Sequence, residues 1–589
     1  MIRCIPPLGL GLLAAVVLSA QAAEPKPNVL LVVTDDQGYW DTGVSGNPKI
    51  DTPVMDRLAA ESVRFTRFYA CPVCAPTRAG LMTGRYYLRT GLYNTRFGGD
   101  TMGADEITLA QLLHKAGYRT GLFGKWHLGR YSGYQPQQRG FDEFLGFYQG
   151  HLERYDHPDQ LVHNGRPIEA RGYVTDLFTD AAIDFIRDCR GGPFFCYLAY
   201  NAPHAPYVAG ESNDGQPLGD AVIEKYLARG LPLREARIYA LVDLVDQNLG
   251  RLLGAVDELG LRDSTVVLLT SDNGGVSKAY SAGLKGHKAS VYEGGVRVPF
   301  FARWPGHFPA GASVDAMASH LDVVPTLCEL VKLPLPADRP YDGRSILSLL
   351  CEGKGTSPHE YLYHTWDRYA PNPHNNWAVC STRYKLVGHE KLAKNGTKTQ
   401  SLELYDLLAD RGETTNIAEQ HPDIVRDLHK EFLRWFAEVT GGQTYRPRPI
   451  PVGLDDQNPV EIQASWATLE GKTVQYVFRG YDWDTIEAWS QPGESASWEL
   501  DVRTPGRYEV TISYGRSPAA KGGRLRISAG ASAVEFQPRA TVTAEVFERA
   551  KTGVLSLPLG QVMLKAEVVR VEGGELMRLN RIWLRRMEP

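Results

Sequence analysis

The chain has 589 residues, of which 43% are hydrophobic and 22% are charged, as is usual for a globular protein with a large core. Its formal net charge of −4 gives no electrostatic reason to expect nucleic acid as a partner. The length allows two to four domains.

The first 23 residues have the pattern of a secretory signal peptide. Arg3 precedes an apolar run over 8–18 that is too short to span a bilayer, and an A-x-A pattern follows. We expect cleavage after Ala22 or Ala23, so the mature protein is predicted to be secreted or periplasmic. No later stretch is apolar enough for a membrane span.

Eight cysteines are few for a secreted chain of this length. Cys189 and Cys196 flank a Gly-Gly-Pro turn and could pair in an oxidising compartment. A disulfide framework is nevertheless not expected to hold the fold together.

Four short apolar runs predict a parallel sheet, because continuous valine and leucine are typical of strands buried on both faces. The runs cover 28–34, 119–123, 194–200 and 265–270. Helical periodicity appears between them over 108–116, 176–188 and 235–259. This alternation favours an α/β fold, with a mostly parallel sheet covered by helices.

Polar residues follow each of the four runs. They include Asp35, Asp36, Lys125, His127, His204, Asp272 and Asn273. Ligands of open α/β sheets bind at the carboxyl ends of the strands, so we expect these side chains to form one site. The paired carboxylates either cap a following helix or hold a cation. A set of oxygen ligands favours calcium or magnesium over zinc.

The stretch 74–85 places a cysteine at a predicted helix start, with Arg78 one turn in and Arg85 after a Thr-Gly pair. A cysteine there lies in a positive field that suits an anion. Three interpretations are open for Cys74. It is a buried cysteine ahead of an amphipathic helix, or it forms with Cys71 a redox pair or half a zinc site, or it belongs to a catalytic motif.

The same stretch resembles the sulfatase signature, C-x-P-x-R followed by x-x-x-x-T-G-R, at every fixed position. In sulfatases a maturation enzyme oxidises the motif cysteine to formylglycine, whose hydrate is the nucleophile. The resemblance implies an exported sulfuric ester hydrolase that acts on a sulfated carbohydrate or polysaccharide. It also implies a formylglycine-generating enzyme as a partner.

A second block resembles the family's loop that carries an active-site lysine ahead of E-G-G-x-R-x-P. Here the E-G-G-x-R-x-P part covers 293–299. Counting back from Glu293 indicates Lys288, rather than Lys285, as that lysine. The alternative interpretation is a solvated basic loop.

The resemblance implies one calcium ion and a set of roles for the residues of the site. The implied metal ligands are Asp35, Asp36, Cys74, Asp272 and Asn273. The implied catalytic residues are Cys74, Arg78, Lys125, His127, His204 and Lys288. In this mechanism one hydroxyl of the formylglycine hydrate attacks sulfur, and His204 with Lys288 protonates the leaving alcohol, which leaves a covalent sulfate on residue 74. His127 then takes a proton from the remaining hydroxyl, so that the aldehyde re-forms and sulfate is expelled.

The family resemblance implies a catalytic domain over 24–440, with a small C-terminal subdomain from about residue 360. The proline-containing stretch 441–460 is predicted to be a linker. Period-two alternation over 461–589 predicts an all-β sandwich that looks like a carbohydrate-binding module. Candidates for a sugar-stacking platform, with core packing as the alternative, are Tyr481, Trp483 and Trp489.

Two other functions remain open. A phosphonate or phosphodiester hydrolase can share the formylglycine motif, and its turnover of phosphate esters would identify it. An inactive carbohydrate-binding pseudo-sulfatase is disfavoured because the full residue set is present. Loop residues that are candidates for contact with the leaving group are His151, Arg154, Tyr155, His157, His374 and Trp377.

Overall fold

The computed structural model describes residues 26–189, 191–207, 218–392, 398–478 and 484–588. The predicted signal peptide, Tyr481 and Trp483 lie outside these ranges. Within them, no helix combines the length and the apolar character that a membrane crossing needs.

The helices and the first strands belong to an α/β region. The helices are α1 (Pro53–Ala60), α2 (Cys74–Thr83), α3 (Leu109–Lys115), α4 (Val174–Asp188), α5 (Leu218–Ala228), α6 (Leu233–Glu258), α7 (Glu293–Val296), α8 (Val323–Leu330), α9 (Leu347–Glu352) and, later in the chain, α10 (Pro422–Thr440). The strands of this region are β1 (Asn28–Thr34), β2 (Val63–Phe65), β3 (Phe68–Tyr69), β4 (Arg119–Lys125), β5 (Glu143–Phe147), β6 (Leu161–His163), β7 (Arg166–Ile168), β8 (Phe194–Ala199), β9 (Thr265–Ser271), β10 (Arg297–Val298), β11 (Phe300–Arg303), β12 (Ser313–Val314) and β13 (Ala318–Ser319).

In the described part of the chain, ten strands form a central sheet in the order β12-β2-β11-β9-β1-β8-β4-β5-β6-β7. The middle strands β9, β1, β8, β4 and β5 are parallel, and antiparallel pairs flank them on both sides. The four predicted runs are therefore adjacent strands, and the predicted α/β class is confirmed.

Helices cover both faces of this sheet, as predicted. Leu31 packs on one face with residues of α2, α3 and α8, whereas Leu30 packs on the other with residues of α1, α4 and α6. Helix α3 begins after Thr108, whose side chain accepts a hydrogen bond from the backbone N–H of Gln111 and so caps the helix. Because every residue of β1, β8 and β9 is buried, these strands are rigid supports for whatever lies at their ends.

A small antiparallel sheet follows the α/β region. Its strands are β14 (Leu362–Thr365), β15 (Trp377–Cys380), β16 (Tyr384–Leu392) and β17 (Lys398–Asp406). Helix α10 packs on this sheet, and the ring of Phe432 stacks on Trp377 with centroids 4.0 Å apart. Trp377 is fully buried, so its prediction as a leaving-group contact is wrong: an indole in this core has no exposed face for a substrate.

The last strands form a β-sandwich. They are β18 (Ile450–Val452), β19 (Val460–Gln463), β20 (Thr468–Glu470), β21 (Gln475–Val477), β22 (Thr485–Glu487), β23 (Ser495–Val502), β24 (Gly506–Gly515), β25 (Gly523–Ala529), β26 (Ser532–Phe536), β27 (Glu548–Leu557), β28 (Gly560–Val571) and β29 (Arg578–Arg586). Over the described residues from 450 to 588, two largely antiparallel sheets of six strands each contain them. The predicted all-β sandwich is confirmed.

Two features of the sandwich differ from the simplest interpretation of the sequence. Strand β18 pairs with β23 although it lies within 441–460, so that stretch is not a free linker over its whole length. Trp489 is fully buried in the sandwich core, which removes it from the candidate stacking platform.

The sandwich packs directly on the α/β region. Trp466 meets Tyr131 edge to face with ring centroids 4.8 Å apart. Phe97 of the α/β region packs against Phe478 at 5.2 Å and against Tyr476 at 6.1 Å. These aromatic contacts join the two parts of the chain through hydrophobic surface rather than through a chain connection alone.

Seven cysteines lie in the described part of the chain, and all seven are free thiols. Cys189 and Cys196 are both buried, and they do not form the disulfide that the sequence allowed. No disulfide therefore links the described residues of α4 to those of β8, and the Gly192 N–H donates to the Cys189 carbonyl at 3.2 Å between the two elements.

Replacing Trp377 with alanine is expected to lower the free energy of unfolding by about 3–5 kcal/mol, because it leaves a cavity against Phe432. Denaturant unfolding measures this change. Tyr369→Ala is the matched control, since Tyr369 is 65% exposed, and its cost should stay within about 0.5 kcal/mol. Equal costs for the two variants would contradict the buried stacking of Trp377.

Candidate active site

The candidate site lies at the carboxyl ends of β9, β1, β8 and β4, which are neighbours in the sheet. Strands β1 and β9 end in register, with Thr34 opposite Ser271, so the residues after them leave the sheet side by side. The residues that the structure brings to this edge are Asp35, Asp36, Lys125, His127, His204, Asp272 and Asn273. This is the edge at which open α/β sheets bind ligands.

Helix α2 supplies the cysteine and the arginine of the signature. Cys74 is its first residue, and Arg78 follows one turn later, fully buried. The Arg78 guanidinium donates to Asp272 Oδ2 from Nε at 3.0 Å and from Nη2 at 2.8 Å. These two hydrogen bonds to one carboxylate oxygen compensate a buried charge that would otherwise be costly. The second arginine, Arg85, instead pairs with Glu106 at 2.7 Å and has a structural role.

Cys71, the other cysteine of the C-x-x-C pair, does not share this site with Cys74. Its Sγ lies 3.6 Å from His320 Nε2. Cys74 groups instead with the carboxylates of Asp35 and Asp272. Among the described residues, the pair therefore forms neither a disulfide nor part of a zinc cluster.

Asp35 is buried among charges of both signs. Its Oδ2 accepts a hydrogen bond from Lys125 Nζ at 2.6 Å and lies 3.7 Å from Arg78 Nη2. Burial, reinforced by the neighbouring Asp272 carboxylate, raises the pKa of Asp35 to about 8. An additional cation beside Asp35 would favour its charged form.

Asp36 is held by a lysine and an amide. Lys288 Nζ lies 2.7 Å from its Oδ1 and 2.9 Å from its Oδ2, and Asn273 Nδ2 donates to Oδ1 at 2.9 Å. Although burial disfavours its charge, the Lys288 ammonium lowers the pKa of Asp36 below its ordinary value. Asp36 also has a φ of 71°, a strained conformation for a residue with a side chain.

A close approach of two glycine-rich loops positions Lys288. A Cβ on Gly274 would lie 2.1 Å from the backbone oxygen of Gly294, so only glycine allows the contact. The Gly274 N–H donates to the Gly295 carbonyl at 2.9 Å, and the Lys288 N–H donates to the Gly275 carbonyl at 3.1 Å. The loop after β9 and the E-G-G loop therefore fix each other.

Lys285 lies outside the site. Its Nζ donates to Glu403 Oε2 at 3.0 Å and to the Tyr405 hydroxyl at 2.7 Å, both on β17. Of the two lysines that the sequence offered, the structure thus brings Lys288 to the carboxylates.

Two histidines complete the site. His127 Nε2 donates to the Thr95 carbonyl at 3.1 Å, and His204 Nδ1 donates to the Ala205 carbonyl at 2.6 Å. The other His204 nitrogen, Nε2, lies 3.9 Å from Asp36 Oδ2. Burial, together with a nearby lysine in each case, lowers the pKa of both histidines well below the ordinary value. Both rings are therefore neutral near pH 7 and able to accept a proton.

The residues present fit a hard divalent cation. Ligand atoms of Asp35, Asp36 and His204, and separately of Asp35, Cys74 and Asp272, lie within 4.8 Å of one another. Within the described ranges, Asp35 Oδ1 and Asn273 Oδ1 are buried oxygens without a hydrogen-bond partner. Buried acceptors are rarely left without a partner, and calcium prefers carboxylate and amide oxygens of this kind.

A cavity of about 440 Å³ opens onto the site and is lined by Cys74, His204 and Lys288. Other residues that line it were not predicted from the sequence. They include Arg96, Arg234, Lys278, His287, Trp366 and Arg368. Arg234 lies in the first turn of α6 and the others lie in loops far apart in the sequence, so no shared motif distinguished them from solvated surface residues.

Only some of the loop residues that were predicted to contact the leaving group lie near the site. The ring of His151 stacks on His204 with centroids 5.6 Å apart, so this residue is brought to the site. Tyr155 is buried, and its hydroxyl donates to the Ala205 carbonyl at 3.1 Å, which supports the backbone beside His204. Arg154, His157 and His374 are not among the described residues that line the cavity.

Taken together, the arrangement defines a class of protein: a hydrolase of anionic esters. Paired carboxylates, a buried arginine and two lysines surround one nucleophile position, and two neutral histidines stand beside it. Positive charge that is fixed around an anionic group is the main means by which ester transfer at sulfur or phosphorus is catalysed.

Comparison with known proteins identifies the family. The sulfatase family profile matches residues 27–333, and the profile described as N-sulphoglucosamine sulphohydrolase, C-terminal, matches residues 286–438. The chain is 35% identical to the N-acetylgalactosamine-6-sulfatase of Mus musculus over 377 residues, which is 58% of this chain and 69% of that protein. It is 32% identical to arylsulfatase A of Bos taurus over 509 residues, 75% of this chain and 94% of that protein.

A comparison with solved structures gives the same family. The crystal structure of Ps i-CgsB matches with a TM-score of 0.63 and 28% identity, over 71% of this chain and 95% of that chain. The chain therefore belongs to the sulfatase family and is a sulfuric ester hydrolase.

Lys288→Gln is expected to reduce kcat/KM for a sulfate ester by roughly 100-fold, because it removes a buried positive charge from the site. Lys285→Gln is the matched control, and kcat/KM should change by less than about threefold, since its half-exposed ion pair lies elsewhere. Steady-state assays of both variants measure the difference. A larger loss for Lys285→Gln would reverse the assignment of the active-site lysine.

Proposed function

We propose that the protein is an exported sulfatase that uses a formylglycine made from Cys74 and one calcium ion to hydrolyse a sulfate ester on a carbohydrate. The observation that carries this proposal is the position of Cys74. It opens α2, lines the 440 Å³ cavity and groups with the carboxylates of Asp35 and Asp272. A signature cysteine that merely filled the core would have no reason to lie there.

Asp35, Asp36, Asp272, Asn273 and modified residue 74 would hold the calcium ion. The ion would supply positive charge next to the sulfate oxygens, and the formylglycine hydrate would supply the attacking oxygen. Arg78, one turn after residue 74, would orient the Asp272 carboxylate, because two of its nitrogens donate to Asp272 Oδ2. Lys125 and Lys288 would bind the oxygens of the sulfate group as point charges.

The histidines would move protons on either side of the sulfur. His204 faces the cavity, so it would protonate the leaving alcohol together with Lys288. The attack would leave sulfate covalently bound to residue 74. His127 would then accept the proton of the remaining hydroxyl, so that the aldehyde would re-form as the C–O bond to sulfate breaks and sulfate leaves. An anion bound in the cavity would raise the pKa of both histidines, which gives His204 the proton that it lacks in the free protein.

Two relatives support a carbohydrate substrate. One is named N-acetylgalactosamine-6-sulfatase, and Ps i-CgsB was crystallised in complex with k-i-k-neocarrahexaose. Both names refer to sugars, and this chain shares 35% and 28% identity with the two proteins. Export is supported by the signal-peptide pattern over 1–23, and the N-terminal sequence of protein purified from its host would test it.

The second candidate function is the sister activity, hydrolysis of a phosphonate or a phosphodiester. The phosphonate monoester hydrolase of Agrobacterium radiobacter matches with a TM-score of 0.51 and 21% identity, which is a likeness in fold alone. Three relatives at 30–35% identity are named N-acetylgalactosamine-6-sulfatase, arylsulfatase A and steryl-sulfatase, and this favours sulfate over phosphorus esters.

Matured protein is expected to release inorganic sulfate from sulfated saccharides and from an aryl sulfate, and Cys74→Ala is expected to abolish that release because it removes the attacking group. Ion chromatography measures the sulfate, and mass spectrometry of the peptide with residue 74 verifies the modification. Cys328→Ala is the control, since Cys328 is a buried free thiol of the core. Turnover of phosphorus esters alone would establish the sister activity, and no turnover by modified protein would favour a binding role.

Calcium is expected to stabilise the protein, because it would bind the folded site and not the unfolded chain. At 100 times its Kd it should add about 2.7 kcal/mol to the free energy of unfolding, which is visible as a higher Tm in chelated protein after calcium is returned. Asp272→Asn should lose this response, whereas Asp338→Asn, at a 61% exposed side chain, should keep it. A calcium response that survives in Asp272→Asn would contradict the ligand set.

A further inference from the structure

We propose that the mouth of the active-site cavity binds a second anionic group of the substrate, separate from the sulfate ester that is cleaved. Lys278 and Arg368 would bind this group, which is either a carboxylate or another sulfate on the same saccharide. The inference rests on the proposed function, and it narrows the substrate class to saccharides that carry at least two anionic groups.

The charged residues that line the cavity are all positive. Of the described residues that line it, none is an aspartate or a glutamate, whereas five are lysines or arginines. These cations are Arg96, Arg234, Lys278, Lys288 and Arg368. A single sulfate ester carries one negative charge, so the wall holds more positive charge than the cleaved group needs.

Two of these cations already have acidic partners. Lys288 is paired with Asp36 at 2.7 Å, and Arg234 is paired with Glu235 at 2.6 Å. Lys278 and Arg368 differ, because in the described part of the chain neither forms an ion pair with a carboxylate. Both side chains are exposed at the mouth, where a ligand can reach them.

The backbones that carry these two side chains are fixed. The Lys278 N–H donates to Glu235 Oε2 at 2.9 Å, and Ser277 Oγ donates to the same oxygen at 2.7 Å. The Arg368 carbonyl accepts a hydrogen bond from the side chain of Asn94, which also lines the cavity. Binding an anion therefore has to order the two side chains but not their backbones, which limits the loss of conformational entropy.

Trp366 adds a third contact next to Arg368. The Arg368 guanidinium lies over the Trp366 ring, 5.8 Å from its centroid. Trp366 also lines the cavity, so its ring offers an apolar face on which a sugar can pack beside the guanidinium. The Trp366–Arg368 side therefore suits a sugar with an anionic substituent.

The test compares three saccharides that share the cleaved sulfate: one with no other charge, one with a second sulfate, and one with a uronic carboxylate. We expect wild-type protein to have a kcat/KM at least about tenfold higher for one of the two dianionic substrates, chiefly through a lower KM. The substrate that gains identifies the source of the second anion. Equal kcat/KM values for all three would overturn the inference.

Variants assign the effect to residues. Arg368→Gln and Lys278→Gln should each reduce the preference for the dianionic substrate by about tenfold, expressed as a ratio of kcat/KM values so that partial unfolding cancels. Arg426→Gln and Lys354→Gln are matched controls at exposed positions, and they should leave the ratio unchanged. An unchanged ratio in both cavity variants would overturn the assignment.

The failure of this inference is distinguishable from the failure of the proposed function. If the monosulfated saccharide and an aryl sulfate are hydrolysed as fast as the dianionic substrates, the enzyme is a sulfatase without a second anion site. If matured protein releases sulfate from none of the substrates, both proposals are wrong.

Discussion

The arrangement of the site depends on balancing charges that are buried at the end of the central sheet. Three carboxylates, Asp35, Asp36 and Asp272, face three cationic groups, Lys125, Lys288 and Arg78. Each group would be expensive to bury alone, so each requires its partner to be in position. The sheet fixes the acids, α2 fixes the arginine, and the contact between the two glycine-rich loops fixes Lys288. A divalent cation added to this nearly neutral set would leave excess positive charge for an anionic ester.

The central strands and the polar residues at their carboxyl ends could be predicted from the sequence, because both are encoded by short local patterns. Each central strand is a continuous apolar run that ends in its own polar residues, and parallel strands must deliver those residues to one edge. The choice of Lys288 over Lys285 came from the resemblance to the family's E-G-G-x-R-x-P loop, because the spacing counted back from Glu293 is also a local property of the sequence. Family resemblance supplied the chemistry that composition cannot supply, namely a modified cysteine.

The rest could not be predicted because it depends on long-range contacts. A tryptophan such as Trp377 is a common residue type in binding loops, but here α10 packs on it and buries it in the core. Strand β18 lies in a proline-containing stretch, and only its pairing with β23 makes it a strand. Lys278 and Arg368 belong to loops that are 90 residues apart. Nothing in the sequence around an isolated exposed lysine or arginine indicates that the two line the same cavity.

The contact of Phe97 with the sandwich connects the sandwich to the α/β region close to His127. Thr95 accepts the hydrogen bond of His127, and two residues later Phe97 packs on Tyr476 and Phe478. The C-terminal sandwich is thus not an independent unit that recombination can exchange freely between relatives. A replacement would have to reproduce the aromatic surface of Tyr476 and Phe478, so this short loop couples the evolution of the sandwich to that of the α/β region.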